Sequence, residues 1–358
     1  MGWPYLLTPL IPVAVVLEVL GAPATVVFAV SALGIIPTAA LMGRATEELA
    51  ARSGPGIGGL LNVTFGNAPE LIIALFALSK GLQEVVKASI VGSIIGNMLL
   101  VLGAAMLAGG IGRQKQHFSR TSASIQTTML MLASGALMMP AIFELVEGKG
   151  LPEPGSEAIN YGGTVEHLSL AVAVVLIVTY VIGLFFSLKT HRDLFNPDYE
   201  EEDTWGWSTR TSVIALAIAG VLVGVMSEVL VGSITEASES VGLSEFFIGV
   251  IVVAIVGNAA EHWVAVLVAM KDKMDLAVNI AVGSSAQVAL FVAPILVLAS
   301  FFIGPYPLAL VFNGFELGAI LLAILVGNHV TSDGESTWFE GVQLLAVYFV
   351  FGLAFYFA

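Results

Sequence analysis

The chain consists of long apolar runs separated by short stretches of Gly, Pro or charged residues. Each run has about the length that an α-helix needs to cross a bilayer. Continuous apolar runs, unlike alternating segments of about ten residues, indicate helices and not a β-barrel. The predicted fold class is therefore all-α, a polytopic membrane protein. Its eleven predicted spans cover residues 4–20, 23–43, 57–79, 86–109, 121–143, 165–188, 210–232, 246–270, 276–301, 308–329 and 338–356.

The composition agrees with a protein embedded in a lipid bilayer. Of 358 residues, 57% are hydrophobic and only 11% are charged, and the mean hydropathy is +0.95. The absence of cysteine excludes disulfides, thiol catalysis and iron–sulfur chemistry. The first apolar run has no basic flank, so we interpret it as a spanning helix and not as a cleaved signal. Nothing indicates a nucleic acid partner, and a homo-oligomer is compatible with the sequence.

The basic residues predict the orientation of the chain. One side of the predicted topology is shared by the N-terminus and the connections that follow even-numbered spans. Ten of the 13 Lys and Arg residues lie there: Arg44, Arg52, Arg113, Lys115, Arg120, Lys189, Arg192, Arg210, Lys271 and Lys273. The other side has only Lys80, Lys87 and Lys149. Basic residues favour the cytoplasmic side, so we expect a cytoplasmic N-terminus and a C-terminus on the opposite side.

An internal repeat appears when the sequence is shifted by 191 residues. Residues 57–93 then align with residues 248–284 without a gap. The matched residues include the Gly-Asn-Ala-x-Glu stretch that ends at Glu70 and its copy that ends at Glu261, as well as Lys80 with Lys271. Apolar composition alone explains matched Val or Ala, but it does not explain these matches at one constant offset.

The repeat predicts the organisation of the chain. Residues 1–20 form an extra first helix, 21–188 a first five-helix repeat, 189–209 an acidic cytoplasmic linker and 210–358 a second five-helix repeat. Because each repeat has an odd number of spans, the two repeats are inverted with respect to the membrane. Inverted repeats with interrupted helices are typical of secondary transporters whose binding site lies near the bilayer midplane.

Glu70 and Glu261 are the main candidates for a metal site. A charged side chain inside the bilayer costs several kcal/mol or more, so such residues usually have a function. Two carboxylates that the repeat brings together repel each other unless they take up protons or bind a divalent cation. Asn67 and Asn258 precede them by three positions on the same helical face, and their amide oxygens could coordinate the metal or orient the carboxylates.

Backbone carbonyls are further candidate ligands. Pro69 has no N–H to donate to the carbonyl of Phe65, so that oxygen becomes free for a cation. Val256 occupies the equivalent position of the second repeat, but Ala260 replaces the proline there, which weakens the argument for this carbonyl. A calcium ion takes about six to eight oxygen ligands, and the lack of Cys or Met nearby argues against soft metals.

Polar residues of the next span in each repeat can form a pathway or a second layer around the metal. Asn97 and Gln287 carry amides that need a partner inside a membrane, so we expect a functional role. Ser93 and Ser284 have two alternatives, a hydrogen bond between helices or a place in the site. Ser285 is grouped with them.

Four other polar residues are candidates for a proton or cation path or for a gate. His262 follows Glu261 and has no counterpart in the first repeat. It serves either as a hydrogen-bonded packing residue or as a proton relay. Glu228 lies inside span 7 and could border a proton or cation path. Glu48 and Glu239 are equivalent residues near helix ends, where a gate or mouth competes with simple solvation.

The linker after span 6 is strongly acidic. Its sequence NPDYEEEDTW covers residues 196–205. It is either a solvated connection or a surface that gathers or senses divalent cations. The carboxylates concerned are Asp198, Glu200, Glu201, Glu202 and Asp203.

The two repeated stretches resemble a known family. GNAPELIIAL at 66–75 and GNAAEHWVAVLVAMKDKMDLAVNIAVGSSAQVALFVAP at 257–294 are similar to the paired motifs of the cation/proton exchangers of the calcium/cation antiporter superfamily. The resemblance covers essentially the whole chain. It implies Ca²⁺ export or sequestration driven by H⁺ as the counter-ion, and metal binding by Glu70 and Glu261. It also implies that spans 2 and 7 slide against a rigid core.

The resemblance implies a cell membrane location in a prokaryote and a vacuolar-type membrane in a eukaryote. Sodium/calcium exchangers of the same superfamily carry hydroxyl-rich motifs such as G-T-S-x-P-E, whose hydroxyls would help to hold sodium. Gly-Asn replaces that pattern in both halves here, which favours protons over sodium.

Two other classes of protein are alternatives. A cation channel can also be built from broken helices and carboxylates, but an inverted repeat disfavours it. An intramembrane enzyme would need a motif such as HExxH, GxSxG or paired aspartates, and the sequence has none of them. The protein is therefore predicted to be a transporter and not an enzyme.

Overall fold

The structure is a computed structural model, and it describes residues 2–53, 55–155, 161–190 and 205–358. Within these ranges the chain is almost entirely helical, and two short strands, β1 and β2, pair antiparallel at Gln116–His117 and Glu335–Ser336. We number the helices in chain order, with α3 in two halves. Their bounds are α1 Trp3–Val19, α2 Ala24–Arg52, α3a Pro55–Gly66, α3b Ala68–Ser79, α4 Gln83–Gly110, α5 Arg120–Val146, α6 Gly163–Thr190, α7 Thr209–Val241, α8 Glu245–Met270, α9 Met274–Ser300, α10 Gly314–Val330 and α11 Trp338–Phe357.

The predicted all-α membrane fold is confirmed. Among the described residues, eight helices are long and apolar enough to cross a bilayer, or nine if the two halves of α3 form one span. The helices α1 and α10 are apolar but shorter than 18 residues. A helix lies at each of the eleven predicted spans, while eleven as the number of membrane crossings stays a prediction.

Helices α2 and α7 are longer than the apolar runs predicted. The runs end at residues 43 and 232, whereas the helices continue to Arg52 and Val241. Their added turns contain Ala, Glu, Ser and Thr, which continue a helix but do not belong in hydrocarbon. An apolar run in the sequence therefore shows which part of a helix can lie in hydrocarbon, but it does not show where the helix ends. The two helices also form the most extensive helix pair that the structure describes.

Helix α10 begins later than predicted. The apolar run starts at residue 308, but the helix starts at Gly314 because Asn313 forms a capping box with Glu316. The Asn313 side chain accepts the Glu316 N–H at 2.9 Å, and the Glu316 carboxylate accepts the Asn313 N–H at 2.8 Å. Both side chains are buried, and this pair explains why a carboxylate stands at the start of an apolar helix.

Helices α4 and α9 hold equivalent places in the two repeats and are the most buried of the long helices. Helix α4 touches α8 backbone to backbone. A Cβ atom at Gly92 would lie only 2.1 Å from the carbonyl oxygen of Val250, and one at Gly249 would lie 2.8 Å from the Cβ of Ala88. Small residues allow this approach, which holds the second motif-bearing helix against the core.

Contacts between connecting segments form two groups. In one group, strand β1 pairs with β2, and the Gln116 amide donates to the Asp272 carboxylate at 2.9 Å. In the other, the Gln83 amide donates to the carbonyl of Tyr306 at 2.8 Å. Each of these contacts joins segments that the sequence assigns to the same side of the membrane. They are therefore consistent with the predicted topology.

We expect the contact between α4 and α11 to depend on a glycine. A Cβ atom at Gly341 would lie 2.4 Å from the Leu107 nitrogen and 2.5 Å from the Gly103 oxygen, so Gly341→Val must force the two backbones apart. Overpacking of this kind costs about 1–3 kcal/mol, and we expect the melting temperature in detergent to fall by about 5 °C.

The matched control for this substitution is Gly352→Val on the same helix. A Cβ atom at Gly352 meets nothing within 4 Å. The control should melt within about 1 °C of the parent chain. Equal melting temperatures for the two variants would contradict the close packing of α4 and α11.

Candidate functional site

The first motif breaks its helix, and the second does not. Asn67 separates α3a from α3b, which meet at a bend of 41°. Pro69 lies in the first turn of α3b, where its missing N–H does no harm. In the second repeat, α8 runs without a break from Glu245 to Met270, with a π-helical segment at Ile248–Val253 before the motif. The difference between proline and Ala260 at equivalent positions accounts for this asymmetry.

The break changes the surroundings of one carboxylate. Glu70 lies in the first turn of α3b, where the backbone N–H groups carry partial positive charge. Glu261 lies in the middle of α8, where the N–H and C=O groups are engaged in the helix. For the same reason the carbonyl of Val256 takes part in the helix. The described α8 therefore has no break that would free this carbonyl, and its role as a ligand stays a prediction.

Hydrogen bonds join the two motifs crosswise. The hydroxyl of Ser284 on α9 donates to the Asn67 side chain at 2.9 Å. The amide of Asn258 on α8 donates to the hydroxyl of Ser93 on α4 at 3.1 Å. Each asparagine therefore binds the serine of the other repeat. Of the two alternatives for these serines, the structure shows hydrogen bonds that also place both hydroxyls beside the motifs.

The motif glycines bring the two carboxylates into one region. A Cβ atom at Gly66 would lie 3.0 Å from a carboxylate oxygen of Glu261. A Cβ atom at Gly257 would lie 3.1 Å from the Cγ of Glu70. Each glutamate thus lies against the glycine of the opposite motif. Any larger residue at either glycine would displace a carboxylate.

The Glu70 carboxylate is buried without a hydrogen-bond donor. Both of its oxygens and the side-chain oxygen of Asn258 lack a partner among the described residues. Glu261 is less isolated, because one of its oxygens accepts the Ser284 hydroxyl at 3.0 Å. A buried carboxylate with no donor is costly unless a proton or a cation compensates its charge. These free oxygens are hard ligands of the type that calcium prefers.

A small cavity borders Glu70. Its volume of about 10 Å³ is close to the space that one water molecule needs. Ser89 and Ser93 provide its polar wall, and apolar side chains such as Ile90 and Val288 form much of the rest. Among the described residues, no three His, Asp or Glu side chains converge as a metal cluster. A cation at this site would therefore need amide, carbonyl or water oxygens beside the two carboxylates.

The amides of Gln287 and Asn97 are hydrogen-bonded to residues of the two motif stretches. Asn67 donates through its amide to the Gln287 side chain at 2.5 Å. His262 makes a 3.1 Å hydrogen bond between its Nε2 and the Asn97 side-chain oxygen, which agrees with both readings of this histidine. Ser285 differs, because its hydroxyl lies 3.0 Å from the carbonyl oxygen of Ala281 in its own helix and 3.4 Å from that of Ile94 on α4. Its hydrogen bonds among the described residues go to backbone and not to a motif side chain, so a role in the site stays a prediction.

The two predicted gate residues differ in their surroundings. Glu48 is buried, accepts the backbone N–H groups of Trp205 and Trp207, and pairs with Arg44 at 3.0 Å. It therefore holds the end of the linker against α2 and is not simply solvated, while a role as gate or mouth stays a prediction. Its equivalent Glu239 is exposed at the end of α7.

Two remaining predictions are not joined to the pair of glutamates. Glu228 is exposed on the surface of α7 and makes no hydrogen bond that the structure describes. The acidic carboxylates of residues 198–203 lie outside the described residues. The structure brings together the two motifs, Ser93 and Ser284, and the amides of Asn97 and Gln287.

The sequence analysis missed a polar cluster between α5 and α9. The Ser122 hydroxyl and the Gln126 amide both donate to the side-chain oxygen of Asn279, at 3.1 and 2.7 Å. A signal was present, since Asn279 lies four residues before Gly283 and eight before Gln287. The cluster lies two turns away from Gln287 along α9, outside the repeated motifs that make polar residues stand out in the sequence.

Comparison with known proteins places the chain among exchangers. A family model described as "Sodium/calcium exchanger protein" matches residues 23–189 and 211–357. The "Ca(2+)/H(+) antiporter" of Synechocystis sp. is 45% identical over 360 residues, covering 94% of this chain and 92% of that protein. The "Ca(2+)/H(+) antiporter ChaA" of Bacillus subtilis is 43% identical over 351 residues, covering 97% and 96%.

A solved structure agrees with these relatives. The native structure of YfkE superimposes with a TM-score of 0.83 and 39% sequence identity, covering 99% of this chain and 100% of that one. The family model extends through both halves of the chain, and the relatives align over nearly its full length. The chain therefore belongs to the sodium/calcium exchanger protein family.

Proposed function

We propose that the protein is a secondary antiporter that exchanges Ca²⁺ for H⁺ across a membrane by alternating access. The observation that carries the proposal is the buried Glu70 carboxylate, which has no donor and lies in the same region as Glu261. Such a pair can hold protons or a divalent cation but not both together. Competition for the same oxygens is the simplest way to couple the two ions.

The proposed calcium ligands are the carboxylates of Glu70 and Glu261 and the free side-chain oxygen of Asn258. Asn67 of the first repeat orients the site and does not bind calcium in this proposal. Its amide donates to Gln287, and its oxygen accepts the Ser284 hydroxyl. The carbonyl of Phe65 stays a candidate, because Pro69 cannot bond to it. Water molecules would complete the six to eight oxygens that calcium takes.

Residues around the pair form the proposed second layer. Ser93 and Ser284 hold the asparagines, and Gln287 is bound to Asn67. His262 and Asn97 form a pair beside Glu261 that can pass a proton or fix the helix. Glu228 is exposed on α7, so we propose for it only a place at the border of a proton or cation path.

The domain boundaries, orientation and linker role belong to the same proposal. We propose an extra first helix, two inverted repeats at 21–188 and 210–358, and a cytoplasmic N-terminus. Alternating access would come from movement of α2 and α7, which pack extensively on each other, against α4 and α9. The exposed Glu239 is a candidate for a mouth, and the acidic linker for a surface that gathers calcium.

Protons are proposed over sodium as the counter-ion. The relatives that match at 45% and 43% identity are named Ca(2+)/H(+) antiporters, although the family model carries the name of sodium/calcium exchangers. Gly-Asn in both motifs also replaces the hydroxyl-rich pattern of the sodium exchangers. Sodium coupling is therefore the second candidate.

Reconstitution into liposomes tests the proposal. An imposed pH gradient should drive uptake of radioactive calcium, and a proton ionophore that collapses the gradient should abolish it. A sodium gradient without a pH gradient should have no effect. Uptake that follows sodium and ignores pH would establish the second candidate instead, and directed flux that ignores both would indicate a channel.

Glu70→Gln and Glu261→Gln should each lower calcium uptake at least a hundredfold. Either change removes a carboxylate that binds calcium and takes up protons, while the shape of the side chain is kept. The matched control is Glu236→Gln, because Glu236 is exposed on α7. Its uptake should stay within twofold of the parent chain. Robust proton-driven uptake by either site variant would contradict the assignment of that glutamate as a calcium-binding carboxylate.

The apparent affinity for calcium should rise with pH. Protons and calcium compete for the same carboxylates, so low pH weakens calcium binding. For each proton displaced, the dissociation constant should change by about tenfold per pH unit over the range in which the carboxylates titrate. Calorimetric titrations between pH 6 and 8 provide the measurement. A dissociation constant that is independent of pH would contradict competition.

A further inference from the structure

A stripe of residues along α9 differs from the rest of that helix. Asp275, Asn279, Gly283 and Gln287 follow each other at intervals of four, so they lie on one face. Each is only partly buried, although most of α9 is buried. Twelve residues of helix extend over about 18 Å, which is more than half the hydrocarbon thickness. We call these four residues the α9 stripe.

Helix α5 supplies polar side chains opposite the middle of the stripe. Ser122 and Gln126 both donate to the Asn279 oxygen. The side-chain oxygen of Gln126 is buried and has no partner among the described residues. It would lie 3.3 Å from a Cβ atom at Gly283, so it points at the one place in the stripe without a side chain. A buried amide oxygen with no donor is unfavourable, and one water molecule would supply the missing hydrogen bond.

The equivalent face of the first repeat is sealed. A shift of 191 residues maps the stripe onto Glu84, Ala88, Gly92 and Gly96 of α4. Ala88 and Gly92 pack directly against the backbone of α8, and they leave no space for polar groups. The two repeats thus share the spacing but differ in chemistry. Since α4 packs without polar side chains at the positions equivalent to the two amides of α9, these amides are not needed for helix packing.

The α9 stripe connects one face of the protein to the glutamates. At its first end, the Asp275 carboxylate accepts the backbone N–H of Ser119 in the segment before α5. At its other end, Gln287 accepts from Asn67, and the Ser284 hydroxyl lies within hydrogen-bond distance of both the Asn67 oxygen and the Glu261 carboxylate. Polar groups therefore follow one another from the proposed cytoplasmic face to a carboxylate of the site.

We propose that α5 and the α9 stripe enclose a file of water that carries protons between the cytoplasmic face and Glu261. The inference rests on the proposed function, and it adds a separate route for one of the two ions. A neutral amide lining suits water and protons, which can move along hydrogen bonds. It does not suit calcium, because the Asn279 oxygen already accepts two hydrogen bonds and the Gln126 amide narrows the path beside Gly283.

Gly283→Val tests this route by filling the space in front of the Gln126 amide. Two assays in liposomes separate the ions: calcium/proton exchange, and exchange of radioactive for unlabelled calcium at constant pH, which moves no net protons. We expect calcium/proton exchange to slow at least tenfold and calcium/calcium exchange to stay within twofold. Equal slowing in both assays, or no slowing in either, would overturn the proposal.

The matched control is Gly135→Val on α5. Gly135 is exposed, and a Cβ atom there meets nothing within 4 Å. Both exchange rates of this variant should equal those of the parent chain. If the parent chain itself did not couple calcium transport to protons, the proposed function would be wrong. That result differs from the outcomes for Gly283→Val that would overturn the water file alone.

Thiol labelling tests the water file without relying on transport. The chain has no cysteine, so single cysteines report on one position each. Asn279→Cys should react with a membrane-impermeant cationic thiol reagent added from the side that labels Lys115→Cys. Leu132→Cys is the control, because Leu132 is 71% exposed on the apolar surface of α5. We expect position 279 to react at least tenfold faster than 132, and equal rates would overturn the proposal.

Discussion

The structure depends on the need to keep two carboxylates inside a membrane. Glu70 and Glu261 come from equivalent stretches of two repeats, and the glycine of each stretch makes room for the glutamate of the other. A carboxylate without a donor is unfavourable in such surroundings, so its charge must be compensated by a proton or a cation. The crossed asparagine–serine hydrogen bonds then fix the motifs at this meeting point.

The two repeats use the same residues but not the same geometry. Pro69 ends the hydrogen-bond ladder of the first motif helix, whereas α8 stays continuous at Ala260. One carboxylate thereby lies at a helix N-terminus and the other lies within a helix. Two equivalent sites with different surroundings can bind and release ions in a defined order, which two identical sites could not. The α9 stripe and its sealed counterpart on α4 extend the same asymmetry away from the site.

Much of this could be predicted from sequence. The paired glutamates, the asparagines and Gln287 could be found because polar residues at a constant offset stand out in an apolar background. The ends of α2 and α7 could not, because apolar runs stop at the hydrocarbon boundary while helices continue in water. The partner of Glu48 was equally hidden, since it consists of backbone N–H groups more than 150 residues away that no residue type reveals.

The most direct test of the account is a count of protons released when calcium binds to the purified protein. Calorimetry in buffers of different ionisation enthalpy gives this number without any membrane or gradient. The account predicts that at least one proton leaves for each calcium bound near neutral pH, and that the number falls when either glutamate is replaced by glutamine. Calcium binding that releases no proton at any pH would contradict the claim that both ions share the carboxylates.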